Sequence, residues 1–212
     1  MIKKQNIVVF DFDGTLSAGD ANTGFVLYCF MHSPRPWFFL PLILLGGILK
    51  LFDRPRVPGR ITSLSFLWRR VMRRCLSADM VARLAPEFIR GFKKKRFAWA
   101  KKTVAAEKAA GNIALCLSAS PSYLIKPLVE DLGFDGVICS EMDRAQPWKY
   151  KSFKSFNWGE NKVVALDGWA RRKKIMPNVV RAYSDNKSDM PMMSLAKEQI
   201  WINPKTGQRV SG

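Results

Sequence analysis

Val8-Val9-Phe10-Asp11-Phe12-Asp13-Gly14-Thr15-Leu16 decides how the rest of the chain is read. The apolar, β-branched run from Ile7 to Phe10 predicts a buried strand, and it ends in two acids one residue apart, followed by glycine. Two carboxylates leaving a buried strand cost desolvation energy unless hydrogen bonds, a metal or chemistry uses them. The alternative, a strand running into a solvated Asp-Gly turn, stays open on these residues alone.

The other predicted strands end in the same way. Ile113 to Leu117 reads as a strand followed by Ser118-Ala119-Ser120, and Pro121 starts the next helix. Val179 to Tyr183 is followed by Ser184-Asp185 and then Asp189. Between them Lys162 stands at the start of a helix spanning 161–172, after Gly159-Glu160-Asn161. Short strands at 136–139 and 199–202 and helices at 122–132 and 190–197 complete an alternating pattern, with a hairpin or flap over 140–160. Strand, helix, strand, helix predicts an α/β fold with a doubly wound, Rossmann-like parallel sheet. In such a sheet ligands bind beyond the carboxyl ends of the strands. Four carboxylates, a hydroxyl and an ammonium are therefore expected to share one edge.

Composition narrows the class. The chain has 212 residues, 48% hydrophobic and 25% charged, which are globular values. With 35 Lys and Arg against 17 Asp and Glu, the net charge is +18, which favours anionic partners. Residues 17–108 carry 18 basic and 5 acidic side chains, or +13, so most of the excess lies in one segment. Cys29, Cys75, Cys116 and Cys139 form no CxxC pair, which predicts a reducing compartment and neither a disulfide framework nor a zinc site. His32 is the single histidine, which argues against histidine-based catalysis. The first apolar run ends in Asp11 rather than a cleavage site, and a cytoplasmic protein is expected.

The basic segment contains Trp37-Phe38-Phe39-Leu40-Pro41-Leu42-Ile43-Leu44-Leu45-Gly46-Gly47-Ile48-Leu49, a run free of charge. A membrane-spanning helix needs about 20 apolar residues, so an interfacial or re-entrant segment is expected over 37–49. Ile61, Leu64, Trp68, Val71, Met72 and Cys75 fall at helical spacing, with Arg69, Arg70, Arg73 and Arg74 on the complementary positions. That pattern predicts a basic amphipathic helix suited to anionic lipid. Phe92, Phe97 and Trp99 among Lys93, Lys94, Lys95, Arg96, Lys101 and Lys102 suit a lipid interface or single-stranded nucleic acid. No nucleic-acid partner and no obligate protein partner are expected.

Asp11-Phe12-Asp13-Gly14-Thr15, Ser118-Ala119-Ser120, Lys162 and Ser184-Asp185-Asn186-Lys187-Ser188-Asp189 together resemble the haloacid dehalogenase superfamily of phosphatases over residues 7–204. Residues 17–108 look like that family's first type of cap, mainly α-helical and inserted after the first strand, with 1–16 and 109–212 as the catalytic core. Within the phosphoserine-phosphatase-like branch, residues 159–166 and 183–193 and Asn203-Pro204 look closest to bacterial hydrolases near phosphatidylglycerophosphatase C. Ser184 and Ser188 depart from the commoner glycine and asparagine of that branch.

The resemblance implies a phosphomonoester hydrolase. Asp11 would be the nucleophile, forming an aspartyl-phosphate, and Asp13 the general acid and base. Mg²⁺ would be held by Asp11, the Asp13 backbone carbonyl and Asp185. Ser118 and Lys162 would bind phosphoryl oxygens, with Lys149, Lys151 and Lys154 as rivals for the lysine role. Thr15 and Asp189 would support the site. Together with the greasy, basic insertion, this gives a lipid phosphate such as phosphatidylglycerol phosphate as the expected substrate. Trp37, Phe38, Phe39, Trp68, Arg69, Arg70, Arg73 and Arg74 are expected on the face toward an anionic membrane, to which the protein would attach peripherally. A soluble phosphomonoester is the alternative substrate.

Overall fold

A computed structural model describes residues 3–33, 78–142 and 153–210, together with the helical positions 37, 40, 41, 44, 45 and 48. In chain order the elements are β1 (Lys3–Phe10), α1 (Ala21–Met31), α2 (Ala78–Lys93), α3 (Trp99–Ala109), β2 (Ile113–Pro121) and α4 (Ser122–Val129). They continue with β3 (Gly136–Met142), β4 (Phe153–Ser155), α5 (Glu160–Lys173), β5 (Ile175–Ser184), α6 (Met190–Met193) and β6 (Glu198–Trp201). The strands form one sheet in the order β4-β3-β2-β1-β5-β6, parallel except for β4, which runs antiparallel to β3. This is the doubly wound α/β architecture.

β1 is central because its sequence lets it be buried on both faces. Ile7, Val8, Val9 and Phe10 are fully buried, and alternation sends them to opposite sides. Val8 and Phe10 join a core with Phe12, Leu16, Phe25, Phe30, Leu84 and Phe88; Ile7 and Val9 join another with Leu115, Leu117, Leu166, Met192 and Met193. Each such side chain contributes about 1.5–3 kcal/mol on burial. Phe10 stacks on Tyr183 at 4.3 Å between ring centroids, locking β1 to β5 one residue before Asp11.

Chain order reverses around β1: the chain moves out through β2, β3 and β4, then returns to β5 on the other side. Its carboxyl end is thus a topological switch point, where a crevice opens. Phe10 is in register with Cys116 and Tyr183, which brings Asp11, Ser118 near the end of β2 and Ser184 to one edge.

The insertion leaves and re-enters through a narrow neck. Phe97 N donates to Leu16 O at 2.9 Å, Ala18 N donates to Lys95 O at 2.9 Å, and Ser17 bridges Arg96. Arg96 grips both oxygens of Asp131, at 2.6 and 2.8 Å, and donates to Leu128 O at 3.0 Å. These donors hold the Asp131 carboxyl well below the usual range.

α3 packs on β2, and its Glu107 is buried against Arg181 and Tyr183 of β5. One expectation changes here. Phe92 is 3% exposed within the core, and Trp99 stacks on Tyr183, so these aromatics serve the interior rather than a lipid interface. Phe92 lies on the buried side of the last turn of α2, while Lys94 and Lys95 stand in the turn that follows it and face solvent.

Candidate active site

Asp11 is the first residue past β1. Its N–H donates to Tyr183 O at 3.0 Å, extending the β1–β5 ladder by one bond and leaving the side chain beyond the sheet edge. The carboxylate is 6% exposed. Lys162, in the first turn of α5, reaches across to it: Nζ donates to Asp11 Oδ1 at 2.7 Å and to Asp189 Oδ2 at 2.7 Å. Gly159 caps this helix with a positive φ of 59°, which lets the chain turn sharply into α5. Asp189 is buried, and its Oδ2 also accepts from Ser184 Oγ at 2.7 Å.

Of the rival lysines, Lys154 is exposed on β4, and Lys149 and Lys151 lie outside the described residues. The same holds for Phe38, Phe39, Trp68, Arg69, Arg70, Arg73 and Arg74. Trp37 is helical and 78% exposed.

Thr15 Oγ1 accepts from Asp185 N at 3.0 Å and donates to Asp185 Oδ1 at 3.1 Å, with Asp11 Oδ2 at 3.4 Å. One hydroxyl therefore ties the loop after β1 to the loop after β5. Between them Gly14 has φ +78°, and a Cβ there would fall on the Asp185 carboxylate, 2.6 Å from its Cγ. Glycine is required twice, for the backbone conformation and for the close approach.

Asp13 turns away from Asp11 toward β2 and α1. Its Oδ2 accepts from Ser120 Oγ at 2.6 Å, with Ser118 Oγ at 3.5 Å. Its Oδ1 accepts from Ala21 N at 2.6 Å, the first backbone N–H of α1. Ser118 is fully buried and its Oγ accepts from Ser120 N at 3.0 Å. Three further serines take part: Ser120 and Ser184, which stand in the quoted motifs without a role, and Ser140, which the sequence reading did not single out. Ser120 touches Asp13, Ser184 supports Asp189, and Ser140 donates to Ala119 O at 2.6 Å while accepting from Asn157 N at 3.0 Å. Only Ser120 left a signal: alternation along a strand puts it on the same side as Ser118.

The electrostatics are unbalanced. Lys162 contacts Asp11 and Asp189, with Asp185 close by and Asp13 beyond, so this one ammonium is outnumbered by the carboxyl groups of the edge. Asp11 is raised to about 7: burial pushes it up most, Lys162 pulls it down, and Asp189 and Asp185 push it up again. Burial, then the charges of Asp20 and Asp11, raise Asp13 well above its ordinary range. Asp185 is raised by burial. Burial alone would lower Lys162, but Asp11 and Asp189 outweigh it and hold the ammonium above its ordinary value.

No three His, Cys, Asp or Glu side chains among the described residues are grouped to hold a metal. A hard divalent cation of the Mg²⁺ type needs only one or two carboxylates plus carbonyl and water oxygens. Asp11 and Asp185, tied to one hydroxyl and carrying uncompensated charge, fit that demand. Such an edge can attack an electrophilic centre through Asp11, exchange a proton through Asp13 and neutralise an anion with Lys162.

Comparison with known proteins agrees. The family model for haloacid dehalogenase-like hydrolases matches residues 8–194. A histidinol-phosphatase of Neisseria meningitidis (serogroup C, strain 8013) is 24% identical over 106 residues, 48% of this chain and 48% of that protein. A Mycobacterium tuberculosis (strain H37Rv) protein described as a probable phosphatase is 29% identical over 114 residues, 53% of this chain and 39% of that one. The matches thus span about half or less of these relatives' length. In fold, a Bordetella pertussis Tohama I protein of unknown function superposes with a TM-score of 0.76 at 19% identity, covering 97% of this chain and 93% of that one. A phosphoserine phosphatase captured as a phospho-aspartyl intermediate analogue gives 0.63 at 17%, covering 94% and 87%. From the edge chemistry, the sheet order and the matched residues together, the chain belongs to the haloacid dehalogenase-like hydrolase family.

Proposed function

We propose that the chain is a phosphomonoester hydrolase using Asp11 as a covalent nucleophile, and that its substrate is a lipid phosphate such as phosphatidylglycerol phosphate at an anionic membrane surface. The observation that carries the catalytic reading is the 2.7 Å contact of buried Lys162 with buried Asp11. It favours the ionised carboxylate and aims it with a positive charge alongside.

An Asp11 oxygen attacks phosphorus as the ester P–O bond breaks. The bonding pair leaves on the alcohol oxygen, which takes the proton from Asp13. Water then attacks the aspartyl-phosphate and loses its proton to Asp13, and the Asp11–phosphorus bond breaks to free phosphate. The raised Asp13 suits a group that must give and regain a proton. Ser118 and Lys162 would receive phosphoryl oxygens. Mg²⁺ held by Asp11, Asp185 and the Asp13 carbonyl would supply Lewis-acid charge neutralisation.

The lipid assignment is supported by the insertion. Trp37, Leu40, Pro41, Leu44, Leu45 and Ile48 recur at helical spacing, and Trp37, Leu40, Leu44, Leu45 and Ile48 are all at least 45% exposed. Such a stripe suits the interfacial layer of a bilayer, where neighbouring cations add about 1 kcal/mol each. Among the described residues no helix is long and apolar enough to cross a membrane. Purified protein is expected to bind liposomes containing phosphatidylglycerol and to hydrolyse phosphatidylglycerol phosphate faster than phosphoserine or histidinol phosphate. Faster turnover of the soluble esters without liposome binding would remove the lipid substrate and leave a metabolite phosphatase.

The carboxylate excess gives a prediction read without activity. Asp11, Asp13 and Asp185 hold protons to higher pH in the fold than in the unfolded chain. The fold is therefore favoured at low pH, and that advantage is lost as pH rises from the ordinary carboxylate range through about 7. Mg²⁺ binding offsets this where the groups are ionised. A hundredfold excess over Kd adds about 2.7 kcal/mol, so Mg²⁺ should raise Tm at pH 8 and do so much less at pH 5. No rise at pH 8, or equal rises at both, would contradict a site built from these carboxylates.

A further inference from the structure

Ser120 makes a 2.6 Å hydrogen bond to Asp13 Oδ2 from a side chain that is only 5% exposed. Burial gives this hydroxyl a fixed direction. Alternation along β2 puts Ser118 on the same side, but Ser118 Oγ lies 3.5 Å from Oδ2 and already accepts from Ser120 N. Asp13 Oδ1 is bound by Ala21 N–H at 2.6 Å. A backbone N–H can only donate, so it keeps Oδ1 an acceptor, and the proton of the acid form belongs on Oδ2. The Ser120 hydroxyl donates to Oδ2 and so fixes where that oxygen stands, leaving its other lone pair directed away from Ser120.

We propose that Ser120 is a positioning residue that holds Asp13 Oδ2 on line for proton transfer to the leaving alcohol. This rests on Asp13 being the acid–base group of the reaction above. Ser120 touches neither the phosphorus nor the nucleophile, so its loss acts through the proton alone. The signature is therefore a dependence on the leaving group. An alkyl phosphate expels a strongly basic alkoxide that must be protonated, whereas p-nitrophenyl phosphate expels a stable phenolate that needs little help.

The test measures kcat/KM, which reports the step releasing the alcohol, for glycerol 3-phosphate and p-nitrophenyl phosphate on the full chain. General acid catalysis supplies roughly 10²–10⁴-fold. Misplacing the acid with Ser120→Ala should forfeit about tenfold to a hundredfold of that on the alkyl ester, and less than about threefold on the aryl ester. Ser120→Thr, which keeps the hydroxyl, should restore the alkyl ester. Ser120→Cys, with a similar shape and a weak donor, should reproduce the alanine pattern and stands in if alanine does not fold. Equal losses on both esters, or none on either, would overturn the role of Ser120. Asp13→Asn separates the two claims: full alkyl-ester turnover in that variant would instead overturn Asp13 as the acid.

Discussion

Asp11→Asn is expected to abolish turnover while making the protein more stable to heat. The loss follows from chemistry: an amide oxygen is a poor nucleophile and a worse leaving group, and removing a covalent nucleophile costs at least about 10⁴ in kcat. The gain follows from the charge count. In the wild type Lys162 faces both Asp11 and Asp189 at 2.7 Å, so the buried group carries one negative charge too many. The amide oxygen of the variant would still accept from Lys162 but carry no charge, leaving a matched Lys162–Asp189 pair. Relief of about 1 kcal/mol would raise Tm by 2–4 °C in a chain of this size. Thermal melts without divalent cation, beside assays with p-nitrophenyl phosphate, would show opposite signs for stability and activity. A lower Tm would show that Asp11 is needed to satisfy Lys162, which would contradict the excess of charge.

Lys162→Met should lose both. The two buried carboxylates would face one another with no cation between them, and breaking a buried pair in this way costs about 3–5 kcal/mol. That corresponds to a fall in Tm of roughly 10 °C, together with loss of turnover. Adding Asp189→Asn to Lys162→Met removes one of the stranded charges. The double variant should regain most of the lost Tm and none of the activity. This outcome separates a structural from a chemical use of Lys162. A double variant as unstable as the single would show that its contribution is packing of the aliphatic stem rather than charge.

Sheet and site were legible in the sequence to different depths. β1 could be read because Ile7 to Phe10 is buried on both faces and so forms an unbroken apolar run. The acids that follow it mark the sheet edge. Lys162 could be singled out by its helix-start position, since the first turn of α5 points at that edge. The serine contacts were hidden for a different reason. Ser184 to Asp189 and Ser140 to Ala119 and Asn157 depend on how loops and strands meet in space, and no local pattern states that. For Ser120 the alternation with Ser118 was present, but a period of two does not say which hydroxyl of the pair meets the acid. Phe92 and Trp99 misled because aromatics between lysines look the same whether the rings turn inward or out; the packing of α2 and α3 on the core decides.

The neck at Leu16–Ala18 and Lys95–Phe97 bears on how freely the insertion could change while the core stays the same. Because exit and return are hydrogen-bonded to one another, the core closes its own loop and does not rely on residues 34–77 to set the distance between its two ends. Loop-closure entropy grows only as the logarithm of length, so a longer or shorter insertion would cost the scaffold little. The core can therefore keep one set of reacting groups while the inserted segment is rewritten, as a tool keeps its shank and changes its bit.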